Sequence, residues 1–198
     1  LVVSESPKYD LALIYNKYFR KKNENHIDES VKIGKNCIIS SFIKVGKGVK
    51  IGDNVHIEKD VFIGENVIIH SNTRIRAGVK IFPGSIIGIE AFSFGYKKDE
   101  EEKYLKLPSI GGVVLEKNVQ VGHNCIIARG VFEDTVIGEY TKINDLSHIG
   151  NTVKIGSNTL IMANNDISAR VQIGNQCWIS QSVCIAQGII IGSNVQVG

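Results

Sequence analysis

From Val31 onward, apolar residues recur every six positions. The chain reads VKIGKN, CIISSF, IKVGKG, VKIGDN, VHIEKD, VFIGEN, VIIHSN, TRIRAG, VKIFPG and SIIGIE, with Ile or Val always third. After an interruption the sixes return as VVLEKN, VQVGHN and CIIARG. A four-residue step follows, Val131 to Asp134, and then ten more sixes run from Thr135 to Asn194, every third residue an Ile. A period of six matches neither a helix nor a simple alternating strand. It matches a solenoid in which each six supplies one short strand and one corner. Ile points inward, and Gly, Asn or Asp sits near the corner, where positive φ costs least. Three sides make a coil of about 18 residues. The 23 full hexapeptides therefore predict an all-β parallel β-helix, a three-sided prism of between seven and eight coils. At the usual strand spacing it would be roughly 35 Å tall.

Two segments depart from the pattern. Residues 6–20 predict a short amphipathic helix, with Ser6 as its cap and Pro7 in the first turn. Its stripe of Leu11, Ile14, Tyr15, Tyr18 and Phe19 is expected to pack on the open first coil, and Lys21 to Ser30 reads as a polar connector. Residues 1–30 thus form a helix with its connector, and 31–198 form the β-helix. The second departure, residues 91–112, is an extended loop, AFSFGYKKDEEEKYLKLPSIGG. A long loop in so regular a fold is usually functional. Its charged run, Lys97 to Lys103, reads as a solvated tip. Phe92, Phe94 and Tyr96 read as substrate-binding, because their rings need something to cover.

Bulk composition mostly excludes. With 23 basic and 20 acidic residues, the net charge gives no argument for nucleic acid or an anionic membrane. Cys37, Cys125, Cys177 and Cys184 form no CxxC pair and read as reduced, mostly buried thiols of a cytoplasmic protein. No apolar run approaches the ~18 residues a membrane span needs. The sequence opens on Leu1 and stops at Gly198 inside a repeat, so the natural chain is expected to extend beyond both ends.

The run LPSIGGVV, then RG, then EDTVIGEYTKINDLSHIGNTVKIG, resembles the UDP-3-O-acyl-glucosamine N-acyltransferases of lipid A synthesis. FSFGY sits where that family carries a Gly-Phe-Gly-Phe-like segment, and the family too has a helix before its first hexapeptide. The resemblance implies a left-handed prism, against the usual right-handed crossover, and a homotrimer with sites between subunits. It implies acyl transfer from acyl-CoA or acyl-ACP, as co-substrate rather than tightly bound cofactor, to the amino group of a nucleotide-linked sugar. Departures accompany the likeness. The family's uridine-binding domain is absent from these 198 residues. Its catalytic His falls on Asn151, its Asp-Asn pair is reversed as Asn144-Asp145, and a second His matches Gly188.

Acyl transfer needs a group to take the nucleophile's proton and donors to stabilise the oxyanion. His148, Asn151, His123 and Asp145 are the catalytic candidates, with Asn144 and Asn124 as further substrate contacts. His148 should face outward beside Asn151, with Asp145 nearby. His26 and His56 read as incidental, and His70, before a corner, as a weaker candidate. Asn151 in place of His favours an amine acceptor, which attacks while neutral and loses its proton afterwards. Two other readings stand beside this one: a sugar O-acetyltransferase of surface polysaccharide, and an inactive sugar-nucleotide-binding relative. A zinc site like that of the γ-class carbonic anhydrases needs an HxxxxH pair. No two histidines here are five apart, so no metal is expected.

Overall fold

The computed structural model describes residues 4–18 and 25–198. The hexapeptides wind into a three-sided parallel β-helix whose sides are sheets of nine, eight and eight strands. The first face begins at His26–Ile27, the second at Lys32–Ile33 and the third at Ile38–Ile39. Each strand pairs in parallel with the strand one coil on, as Lys32 with Lys50 and Ile33 with Ile51. The first corner follows the first face, the second corner the second face, and the third corner the third.

Third-place residues from Val45 to Ile185 are almost fully buried and stack in ladders. First-place residues join them, and several that are hydroxyls bond to the next coil's backbone. Thr141 Oγ1 donates to the Gly156 carbonyl at 2.7 Å, and Ser85 Oγ to that of Gly122 at 2.7 Å. Buried polar groups are thereby satisfied. At most corners the sixth place is left-handed, from φ 51° at Asn124 to 76° at Gly84. Asn side chains use this place twice, once for the turn and once for a ladder: Asn36 donates to Asn54, and Asn54 to Asn72, each at 3.3 Å.

The solenoid starts one hexapeptide before Val31. Residues 25–30, within the segment read as a connector, form the first side, with Ile27 paired to Val45. Its residues other than Ile27 are all polar, which hides the period. Asn25 Oδ1 accepts the Ile43 N–H across the coil. At the other end Gln196–Val197 adds a strand from an incomplete six.

The N-terminal helix spans Pro7–Tyr18 and buries no residue. Leu11, Ile14, Tyr15 and Tyr18 are 50–68% exposed, and the first-coil Ile27 and Ile33 remain 41% and 46% exposed. The expected packing on the first coil is therefore not formed within the chain. Tyr9 and Leu13 lie across the helix from the Leu11–Ile14–Tyr18 stripe, so no single face concentrates the apolar surface. Phe19, the last residue of the expected stripe, lies outside the described residues.

The 91–112 segment is a β-hairpin arm leaving the second corner, with Phe94–Tyr96 antiparallel to Tyr104–Lys106. Its root locks onto the four-residue step. The Asp134 carboxylate accepts the Gly112 N–H at 2.7 Å and pairs with Arg74. Arg129 donates to the carbonyls of Gly88 and Ser71. A Cβ at Gly130 would lie 1.4 Å from the Glu133 carbonyl oxygen, and one at Gly112 would lie 2.1 Å from that of Asn72. The RG and EDT stretches thus have a structural use here: they weld arm to prism. Gly130→Ala is expected to destabilise the fold by at least about 1–3 kcal/mol through overpacking. Chemical denaturation showing no loss would mean that the backbones at this root are not so closely packed.

Candidate active site

The hexapeptide register carries His123 and Asp145 to the same fifth place at the first corner, on adjacent coils. His123 Nδ1 lies 3.0 Å from Asp145 Oδ1, and the His123 backbone N–H donates to the same oxygen at 2.7 Å. These bonds, the backbone N–H first, hold the Asp145 carboxyl below its ordinary value against the opposing effect of burial. An ionised carboxylate only accepts, so the proton of a neutral His123 sits on Nδ1. Nε2 is left with its lone pair free to accept. The Phe82 ring lies 5.1 Å from the imidazole, centroid to centroid.

This pair borders a groove of about 350 Å³ on the first face. Gln120, Lys142 and Asn144 supply its polar lining, and Phe82, Leu160 and Met162 its apolar lining. Leu160 follows Gln120 and Lys142 one coil on, so polar and apolar linings succeed one another along the prism axis, which suits a ligand that has both characters. Among the described residues, no group of three or more His, Cys, Asp or Glu side chains is placed to hold a metal ion.

The expected site residues separate into three places. His123, Asp145 and Asn144 line the groove, and Asn124 turns the corner beside them. His148 faces outward on the second face as expected, but its partner is Asp166, at 2.8 Å between Nδ1 and Oδ1. Asn151 lies at the second corner, where its carbonyl accepts the Arg170 N–H. Asp145 therefore orients His123 and does not serve Asn151, because the fifth place at the first corner stacks on its own kind. The arm carries Phe92, Phe94 and Tyr96 at that same second corner, exposed by 93%, 41% and 60%. They partly cover one another: Phe92 meets Phe94 edge-on at 4.9 Å, Tyr96 meets Tyr104 at 5.2 Å, and Lys106 sits over Phe94.

The remaining histidines are structural or exposed. His26 and His56 face solvent on the first and third faces. His70 is half-buried under Gly88, and burial, then the Arg129 charge, lowers its pKa from the ordinary 6.5. The fold thus favours neutral His70, so its contribution is present above pH 6.5 and is lost as pH falls below it. Melting temperature is expected to drop between pH 7.5 and 5.5 by more in the native chain than in His70→Gln; equal drops would contradict this. The cysteines are all free and mostly buried, as expected: Cys125 and Cys177 are buried and Cys37 partly so, whereas Cys184 is exposed on the second face. Sequence reasoning missed Phe82, Lys142 and Asp166. The last was accessible, since it lies one 18-residue coil from His148.

No family model matches the chain. It is 32% identical over 130 residues to the UDP-3-O-acylglucosamine N-acyltransferase of Polynucleobacter asymbioticus, covering 59% of this chain and 37% of that protein. It is 43% identical over 63 residues to the enzyme of the same name from Methylobacillus flagellatus, covering 32% of this chain and 17% of that one. The chain therefore spans well under half the length of these relatives. Among solved structures, the UDP-N-acetylglucosamine O-acyltransferase of Moraxella catarrhalis superposes with a TM-score of 0.50 at 22% identity, over 83% of this chain and 59% of that one. No described helix is long and apolar enough to cross a membrane. The chain is a left-handed hexapeptide β-helix, similar in sequence over part of its length to UDP-3-O-acylglucosamine N-acyltransferases.

Proposed function

We propose that this chain transfers an acyl group from a thioester, carried by coenzyme A or acyl carrier protein, to the amino group of a nucleotide-linked sugar. The observation that carries the reading is the His123–Asp145 pair, 3.0 Å apart at the edge of a groove of mixed polarity. His123 Nε2 takes a proton from the amine as its nitrogen attacks the thioester carbonyl. The same nitrogen returns that proton to the departing sulfur when the C–S bond breaks. The Asn144 amide, which lines the groove, is the side-chain donor for the oxyanion. The amine as acceptor rests on the likeness to N-acyltransferases. The histidine pair would serve a hydroxyl as well. His148 and Asn151 do not line the groove and take no step.

The test is product analysis. Acyl-CoAs and acyl-ACPs of graded length are incubated with nucleotide-linked amino and hydroxy sugars and the products read by mass spectrometry. An amide product is expected. An ester would transfer the reading to O-acylation, and no product across the panel would favour a binding role. A cytoplasmic homotrimer belongs to the same proposal. It is supported by an apolar outward ladder on the second face, where Ile68, Ile86 and Ile126 stand in register. Light scattering is expected to give three times the mass of one chain at micromolar concentration. A monomer would remove the basis for sites shared between subunits.

A further inference from the structure

Lys80, Gln120 and Lys142 stand in register on adjacent strands of the first face, all at outward positions. Both lysines are only partly exposed. Lys142 Nζ donates to the Asn118 carbonyl at 2.6 Å. Asn118 turns the third corner just before the strand Gln120–Val121, whereas His123 turns the first corner just after it. The ammonium group is thus drawn to one edge of the face while the His123–Asp145 pair occupies the other. Lys142 lines the groove that also reaches that pair. We propose that Lys142 and Lys80 form a diphosphate-binding subsite on the first face, at the edge remote from His123.

Two amines set two strands apart match a ligand with charge on two linked phosphates better than a single carboxylate, and the Gln120 amide between them adds a neutral donor. Burial, and then the charge of Lys80, lowers the Lys142 pKa. Two cations held together in this way repel, and a bound dianion relieves that repulsion. The subsite takes the reacting end of the groove from the function proposed above, but its own observation is the lysine pair. Diphosphate occurs in both a nucleotide sugar and coenzyme A, so the face recognises a group common to acceptor and donor.

The experiment is calorimetric binding of pyrophosphate, UDP and coenzyme A to the full chain, with no turnover required. Pyrophosphate is expected to bind the native chain, to weaken as salt is raised, and to lose at least about tenfold in affinity in Lys142→Gln and in Lys80→Gln. Lys142→Arg keeps the charge and should retain most of the binding. If the variants lose UDP but not coenzyme A, the subsite serves the acceptor; the reverse loss assigns it to the donor. Loss of both supports the common group. Pyrophosphate that fails to bind the native chain, or binds both Gln variants as tightly as the native chain, overturns the proposal. Because the readout is binding, a chain inactive toward every acyl donor would still decide it. Should Lys142→Gln fail to fold, Lys80→Gln and the salt dependence of the native chain carry the test.

Discussion

Replacing His123 by Ala is expected to lower acyl transfer by about 10²–10⁴-fold, the range for losing a positioned general base. The geometry explains why the loss should fall on turnover. His123 sits at an exposed corner, so its removal opens no core cavity and should leave the melting temperature nearly unchanged. Asp145→Ala should also lower turnover, for a different reason: it removes the acceptor that fixes the imidazole proton on Nδ1 and leaves Nε2 able to accept. His148→Ala, whose ring pairs with Asp166 on another face, is expected to stay within about threefold. Should His148→Ala be the crippled variant and His123→Ala the mild one, the reacting centre lies on the second face and the groove is something else. Should both be mild, the amine acceptor manages its own proton, as Asn151 in place of the family's His had implied.

How far the sequence announced this site follows from the period. A residue's face and place within the six follow from counting, so residues 18 apart are neighbours one coil on. His148 and Asp166 obey that rule directly. His123 and Asp145 are 22 apart, which is one coil plus the four-residue step from Val131 to Asp134. Reading the site from chain proximity instead set Asp145 beside His148 and Asn151, although Asp145 and Asn151 stand at different corners with the second face between them. Other features were not countable. The first hexapeptide keeps Ile27 at the third place, but its other five residues are all polar and merge with the connector. The arm's pairing, Phe94 with Lys106 and Tyr96 with Tyr104, depends on a hairpin whose charged tip carries no strong turn signal. Lys142 looked like any outward lysine, because its contact with Asn118 depends on where a long side chain bends.

The prism itself makes the last strong prediction. Ile155 and Ile161 hold the third place of consecutive hexapeptides on the third and first faces and are 3% and 1% exposed. Each stacks between identical residues above and below: Ile155 between Ile137 and Ile173, Ile161 between Ile143 and Ile179. Truncating either to Ala removes three carbons from a ladder whose backbone spacing is held by hydrogen bonds on both sides. The coils cannot close on the gap. The cost is therefore expected in the usual range for a buried Ile, about 2–5 kcal/mol, with Ile161 nearer the upper end because it is the more completely enclosed. Solenoid coils lean only on their neighbours, so the damage should be local first. Amide exchange is expected to accelerate most in the coils adjoining the substitution, whereas the coils around Val49 and Ile51 should keep their protection. Denaturant melts measure the total and exchange measures its spread. A loss below ~0.5 kcal/mol would mean that these side chains do not fill the interior. A uniform loss of protection from end to end would show that the prism unfolds as one cooperative unit and not coil by coil.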